Sequence, residues 1–381
     1  MDNNLLNEIH MVNNHSESTK KIYRIALRKY TAYFSMSMNE LIEEAEQEEE
    51  NGIRMKKRKI KTRLLTYRHY LLENYSINSV RTMFYPIIYI YNYLDIETPE
   101  MPKINLKSVM KSQPIRYKDL PDKEIIRKAV KLADPEMTAI IYFMASSGCA
   151  RRETLNLTIQ DYIDSLSEYT NKNNIYEIIN ELGTNSENII PTFNILRQKT
   201  GKYYTTYCSP EAVNEINIYL LSRNDKLKPE KRLFNIQESY LLMKFRNINN
   251  LLGLGRVGAF HRFRSHMLRK FHASALYNDG MSLDKVNDLQ GKAKNKTDSA
   301  YFMTNPDDLK NEYIAHLSAI TINKEVEKIT IKSKEYRQLE KENYEKNIQI
   351  ETLMKRIAQL ETYVFQGMSK TDIANMEMWV D

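Results

Sequence analysis

Cysteine is scarce in this chain of 381 residues: there are two, Cys149 and Cys208. Two are too few for a disulfide framework, and neither stands in a metal-ligand spacing. That excludes a disulfide scaffold and suits a reducing compartment, with both thiols as small buried residues. Long apolar runs are missing too. None approaches the ~18 residues that span a bilayer, so no membrane partner is expected. The opening Met1-Asp2-Asn3-Asn4 lacks the basic-then-apolar layout of a secretory signal, and a cytoplasmic location is the expectation.

What is present is a globular composition, with 42% hydrophobic and 28% charged residues, in a chain longer than one compact core usually holds. The charge is unevenly spread. Residues 1–333 carry 49 Lys and Arg against 40 Asp and Glu, whereas residues 334–381 carry seven against nine. A basic main body favours a polyanionic partner.

From Ser16 to Phe34, Tyr23, Ala26, Leu27, Tyr30, Tyr33 and Phe34 recur at helical spacing, with Lys20, Lys21, Arg24, Arg28 and Lys29 on the remaining surface. After an acidic stretch, Glu43 to Glu50, and the turn Asn51-Gly52, a second basic run including Lys56, Lys57, Arg58 and Lys59 opens another helix through Leu72. A third runs from near Ser79 to Leu94, with Pro86 expected as an early position or a kink. These segments predict a small helical domain over residues 1–108 with two basic stripes. The stripes are either solvated faces or, interleaved with Tyr23, Tyr30, Tyr67 and Tyr70, a surface for nucleic acid.

Thr98-Pro99, Met101-Pro102 and Gln113-Pro114 mark a linker, bounded here as residues 109–119. A second block, 120–321, opens at Leu120-Pro121-Asp122 and is mainly helical to Leu157. Beyond Asp161 a polar insertion follows. Two β-rich runs around Lys199-Thr200-Gly201-Lys202 then predict a hairpin, and helices resume at Pro210. In the last segment, 322–381, a heptad runs through Tyr336, Leu339, Asn343, Lys346, Ile350, Leu353, Ile357, Leu360 and Val364. It reads as a short coiled coil, with a helix folded back on the body as the competing arrangement.

Three further segments carry a resemblance. His266-Met267-Leu268-Arg269 places an imidazole and a guanidinium three residues apart on one helix face, and Leu289-Gln290-Gly291-Lys292 is followed by Tyr301 ten residues after the glycine. Upstream stands Ser147-Gly148-Cys149-Ala150-Arg151-Arg152-Glu153-Thr154-Leu155-Asn156-Leu157. Together these resemble the active-site motifs of tyrosine recombinases, the integrase family. Ala150 holds the usual arginine position and Arg151 follows one residue late, as in archaeal-type members.

The resemblance implies a mainly α fold: a helical core-binding domain, a mostly helical catalytic domain with a small antiparallel sheet, and a C-terminal helix. It also implies site-specific recombination of double-stranded DNA at an attachment site, integrating or excising a mobile element through a 3′-phosphotyrosine. No cofactor or catalytic metal is expected, and the working form would be a nucleoid-associated homotetramer on DNA. Tyr301 would be the nucleophile; Tyr313 also follows but is out of register. Arg151, in preference to Arg152, and Arg269 would hold the phosphate, with His266 aiding proton transfer. Lys199, with Lys202 within reach of the same role, would protonate the leaving oxygen. Lys292 stands where the family usually has His or Trp. Two other functions remain open: relaxation of DNA in the manner of a type IB topoisomerase, and DNA binding without catalysis.

Overall fold

The computed structural model describes residues 2–104, 115–183, 188–292 and 305–323, with isolated helical positions at 346, 350, 353 and 354. The chain divides into two compact units, Met1–Pro114 and Ile115–Asp381. Helices dominate both, and no helix among the described residues is long and apolar enough to cross a membrane.

Unit 1 is a helical bundle: α1 (Asp2–Val12), α2 (Glu17–Phe34), α3 (Met38–Glu50), α4 (Lys59–Asn74) and α5 (Ile77–Tyr93). Serine starts three of these helices, because its hydroxyl accepts an otherwise unpaired N–H of the first turn: Ser16 from Thr19, Ser37 from Glu40, and Ser76 from Ser79. The apolar spacing then buries Ala26, Leu27 and Tyr30 of α2 in one core with Ile87, Ile90 and Tyr91 of α5. Pro86 lies in the interior of α5 rather than near its start, since the helix begins at the Ser76 cap.

One basic run differs from expectation. Met55–Lys57 form a 3₁₀ turn, and Arg58, which precedes α4, points inward. Its Nε donates to the Ile53 carbonyl at 2.7 Å, and its Nη1 lies 3.3 Å from Glu49 and 3.2 Å from Glu97. Arg58 therefore ties the α3–α4 connection together and is not part of an exposed stripe. A 3₁₀ turn ahead of α4 breaks the helical phase that would have kept it outside.

Unit 2 is built around α7 (Pro135–Ser147), buried along most of its length. It packs with α11 (Pro210–Ser222) and α13 (Ser265–Asn278). The other helices include α6 (Lys123–Lys131), α8 (Arg151–Asn156), α9 (Ile159–Ser165), α10 (Ile175–Leu182), α12 (Glu238–Leu251) and α14 (Leu283–Leu289). Further on come helices Pro306–Ala315 and Leu317–Ile320. The helix α10 lies in what the sequence presented as a polar insertion, with Ile175, Ile178 and Ile179 buried on one face.

An antiparallel hairpin, β1 (Thr192–Arg197) and β2 (Lys202–Tyr207), pairs Thr192 with Tyr207 through to Arg197 with Lys202. Its period-2 alternation buries Phe193 and Ile195. A shorter ladder, β3 (Arg256–Val257) and β4 (Phe260–His261), precedes α13. The C-terminal heptad lies outside the described residues except at the isolated positions above.

Candidate active site

The helix α13 carries His266 in its first turn and Arg269 one turn on. Burial of Met267, Leu268, Phe271 and Leu276 fixes the helix rotation. Arg269 is 8% exposed. Its Nη1 donates to the Gly148 carbonyl and its Nη2 to the Gln290 carbonyl, both at 2.6 Å, while Nη1 lies 3.7 Å from Glu153 Oε2. One guanidinium thus joins the end of α7, the start of α8 and the end of α14, which are the three motif segments.

Glu153, only 6% exposed, is fully engaged: its Oε2 also accepts the Ala150 N–H at 2.7 Å and the Tyr204 hydroxyl at 2.8 Å. A carboxylate taken from water needs such donors as well as a counter-charge. Beside it, burial pushes the Cys149 thiol up to about 12 and raises the Tyr204 phenol further still, so neither is a nucleophile near neutral pH.

Both glycines of the motifs are required by close packing. Gly148 has φ +67°, and a Cβ there would come within 2.5 Å of the His272 ring. Gly291 has φ +56°, and its Cβ would meet the Tyr204 ring at 2.4 Å. Gln290 completes the arrangement: its Nε2 donates to the Arg269 carbonyl at 2.9 Å and lies 3.2 Å from His272 Nδ1. Its own carbonyl accepts from Arg269 and, at 2.9 Å, from Arg197, which also bonds the Gly291 carbonyl. His272 is driven down to about 3 by burial first and then by the charges of Arg269 and Lys292, which keeps it neutral.

The remaining expected residues are placed as follows. Lys292 is exposed, and loss of water, then Arg269 and Arg197, lower its pKa, which marks three neighbouring cations. His266 is also exposed as a residue, yet its ring is desolvated enough to lower its pKa, with Lys270, Arg264 and Arg269 adding to the effect. A neutral imidazole at pH 7 can accept a proton.

Arg151 opens α8, half-buried, whereas Arg152 is exposed. Arg151 Nη2 pairs with Glu238 Oε1 at 2.6 Å, and its Nε is enclosed without a hydrogen-bond partner. Arg151 and His266 line one cavity of about 960 Å³ together with Arg246, Arg256, His261 and Arg264. Lys199 is exposed on the hairpin turn, and Lys202 is exposed at the start of β2. The contacts from the hairpin to the site run through Arg197 and Tyr204.

Tyr301 lies outside the described residues. Tyr313 is fully buried, donates to the Ser146 carbonyl at 3.1 Å and titrates well above 10, which removes it as a nucleophile.

In unit 1, Lys21, Arg24, Arg28, Lys56 and Lys57 are exposed. Lys20 pairs with Glu17 at 2.6 Å and Lys59 with Glu44 at 2.9 Å. Sequence reasoning missed Arg197, Tyr204, Gln290, Glu238 and the cavity's Arg246, Arg256 and Arg264. Arg197 and Gln290 stood inside segments already singled out, but nothing local marks them as partners of Arg269.

No protein-family model matches the chain, and no curated protein does. Among solved structures it is similar to XerH site-specific recombinase bound to a palindromic difH substrate in a post-cleavage complex, at 17% identity over 78% of this chain and 80% of that one, TM-score 0.49. XerA recombinase is similar at 18% identity over 83% of this chain and 99% of that one, TM-score 0.34. The integrase from mycobacterium phage Brujita is similar at 13% identity over 84% and 94%, TM-score 0.33. At such identities and TM-scores, the function has to be read from the residues themselves.

Proposed function

We propose that this chain is a site-specific DNA recombinase of the tyrosine type, acting on the attachment site of a mobile element. Tyr301 attacks the scissile phosphorus, a 3′-phosphotyrosine forms, and the 5′ oxygen leaves with a proton. Arg269 and Arg151 answer the charge on the non-bridging oxygens, with Lys292 adding a point charge. His266 accepts and returns a proton, and Lys199 protonates the leaving oxygen. Unit 1 holds the duplex through its exposed basic residues, and the C-terminal heptads assemble four protomers on DNA. The observation that carries this reading is the convergence of the three motif segments on Arg269, through the Gly148 and Gln290 carbonyls and Glu153. Two of its five N–H donors go to those carbonyls, so others remain for a phosphate.

A nicked suicide duplex tests the reading. The natural chain should form a denaturant-resistant adduct that maps to Tyr301, and Tyr301→Phe should bind DNA within about twofold of normal while forming none. Specific binding without an adduct from the natural chain would make this a non-catalytic DNA-binding protein.

A further inference from the structure

We infer that Arg264 is a further phosphate-binding arginine, gripping the DNA backbone within the cavity it shares with Arg151 and His266. The inference rests on the reading of DNA as substrate, but not on the covalent chemistry.

Arg264 is the N-cap of α13, with φ −163° and ψ 162°. This extended backbone starts the side chain outside the helix, next to the β3–β4 ladder. There its guanidinium lies over the Phe260 ring, 4.3 Å from the centroid. Phe260 is itself 59% exposed. Stacking on one face holds a guanidinium flat and leaves its edge, where all the N–H donors lie, open to a ligand. The Nε of Arg264 is enclosed and has no hydrogen-bond partner. Burial accordingly disfavours its charged form.

An arginine that has lost water without gaining an acceptor is at a disadvantage unless something arrives to pair with it. Elsewhere in the chain, arginines drawn inward find acceptors. Arg58 has Glu49 and Glu97, Arg223 has Asp225, and Arg269 has Glu153 and two carbonyls. The cavity at Arg264 offers the reverse. Its described lining contains Arg151, Arg246, Arg256 and two histidines, and no Asp or Glu. The second enclosed, unpartnered Nε belongs to Arg151 on the same wall. Two guanidiniums around one cavity, each with an unmet Nε although Arg151 Nη2 is already paired with Glu238, and with no carboxylate in the described lining, match a chain of phosphodiesters, which presents a negative oxygen pair at each step.

The test measures binding, not cleavage. Duplexes carrying one neutral methylphosphonate at successive positions are titrated with the natural chain and with Arg264→Met, whose side chain still covers Phe260. Loss of one good phosphate contact corresponds to about a tenfold weaker Kd, and the slope of log affinity against log salt should fall by about 0.9. At one position the methylphosphonate should weaken the natural chain by a similar factor and leave Arg264→Met unaffected. Phe260→Leu should reduce the coupling at that same position, because it removes the ring that orients the guanidinium. Thermal unfolding checks that both variants fold. If Arg264→Met does not, Arg264→Lys is used, with partial loss expected at the same single phosphate. An unchanged salt slope, or an equal penalty on every methylphosphonate duplex, would overturn the inference and leave Arg264 as a side chain packed on Phe260. Adduct formation is not measured, so a failure here and a failure of the phosphotyrosine reading are told apart.

Discussion

The arginines drawn inward in unit 1 and those around one cavity of unit 2 differ in how far they are answered from within. In unit 1, Arg63 makes a two-pronged pair with Glu44, Nε to Oε2 at 2.6 Å and Nη2 to Oε1 at 3.0 Å, and also stacks on Phe34. Arg58 is answered by two carboxylates and a carbonyl. Such side chains strengthen the bundle and have little left for a ligand. In unit 2, Arg264 and Arg151 each hold an enclosed Nε with no partner, Arg151 being answered by Glu238 at Nη2 alone, and the described lining of their cavity has no carboxylate. A count of basic residues therefore says less about binding than whether each cation has already been neutralised from within. By that standard the surface charge of unit 1 that remains open includes Lys21, Arg24, Arg28, Lys56 and Lys57.

Arg269 stands between the two cases, and its loss should have the largest effect. Arg269→Ala leaves Glu153 buried beside Tyr204 without its counter-charge and the Gly148 carbonyl without its donor, while the Gln290 carbonyl keeps Arg197, a cost of about 3 to 5 kcal/mol in unit 2 by denaturant unfolding. Glu153→Gln added to it should recover part of that stability and none of the adduct. If Arg269→Ala unfolds like the natural chain, the arginine is a site residue alone.

In unit 1 the contrast can be measured directly. Arg58→Ala should cost about 2 kcal/mol through its lost charged hydrogen bonds, with the salt dependence of DNA binding unchanged. Arg24→Ala with Arg28→Ala should leave the melting temperature in place and lower the salt slope by about 2. The opposite pattern would reverse the roles given to buried and exposed arginines.

His272 supplies a pH test of a smaller kind. Folding lowers its pKa from 6.5 to about 3, so the unfolded chain takes up a proton first as pH falls. Stability associated with the neutral ring is present above 6.5 and is lost between that pH and about 3. His272→Gln should flatten this part of the stability profile, and an unchanged profile would assign the acid loss to carboxylates instead. The smallest effect is expected from Glu238→Gln. Freed from the pair at 2.6 Å, Arg151 should bind DNA up to about fivefold more tightly, the scale of a partly exposed ion pair. The same gain in an Arg151→Ala background would mean that Glu238 acts only through its charge.

Much of the architecture follows from patterns only a few residues long. The apolar spacing from Tyr23 to Phe34, the β-rich runs around Lys199-Thr200-Gly201-Lys202 and the apolar side of His266–Arg269 each signal their own element. Where the local pattern was masked, reading failed. The isoleucines of α10 are surrounded by Asn and Glu, and the 3₁₀ turn before α4 rotated Arg58 inward. In the site, Gly148 and Gly291 were legible as motif positions, but the reasons for them, the rings of His272 and Tyr204, lie far away in the chain.

The sequence by itself determined most of the helices, the β1–β2 hairpin and which cations and imidazoles are offered, because periodicity and turns act between near neighbours. Only the tertiary structure decided what each charge meets. Arg269 finds Glu153, Gly148 and Gln290, Arg151 finds Glu238, and Arg264 finds an aromatic ring but no anion among the described residues. The state of a charge depends on the water it loses and the groups that replace that water, and those groups come from residues brought together by packing.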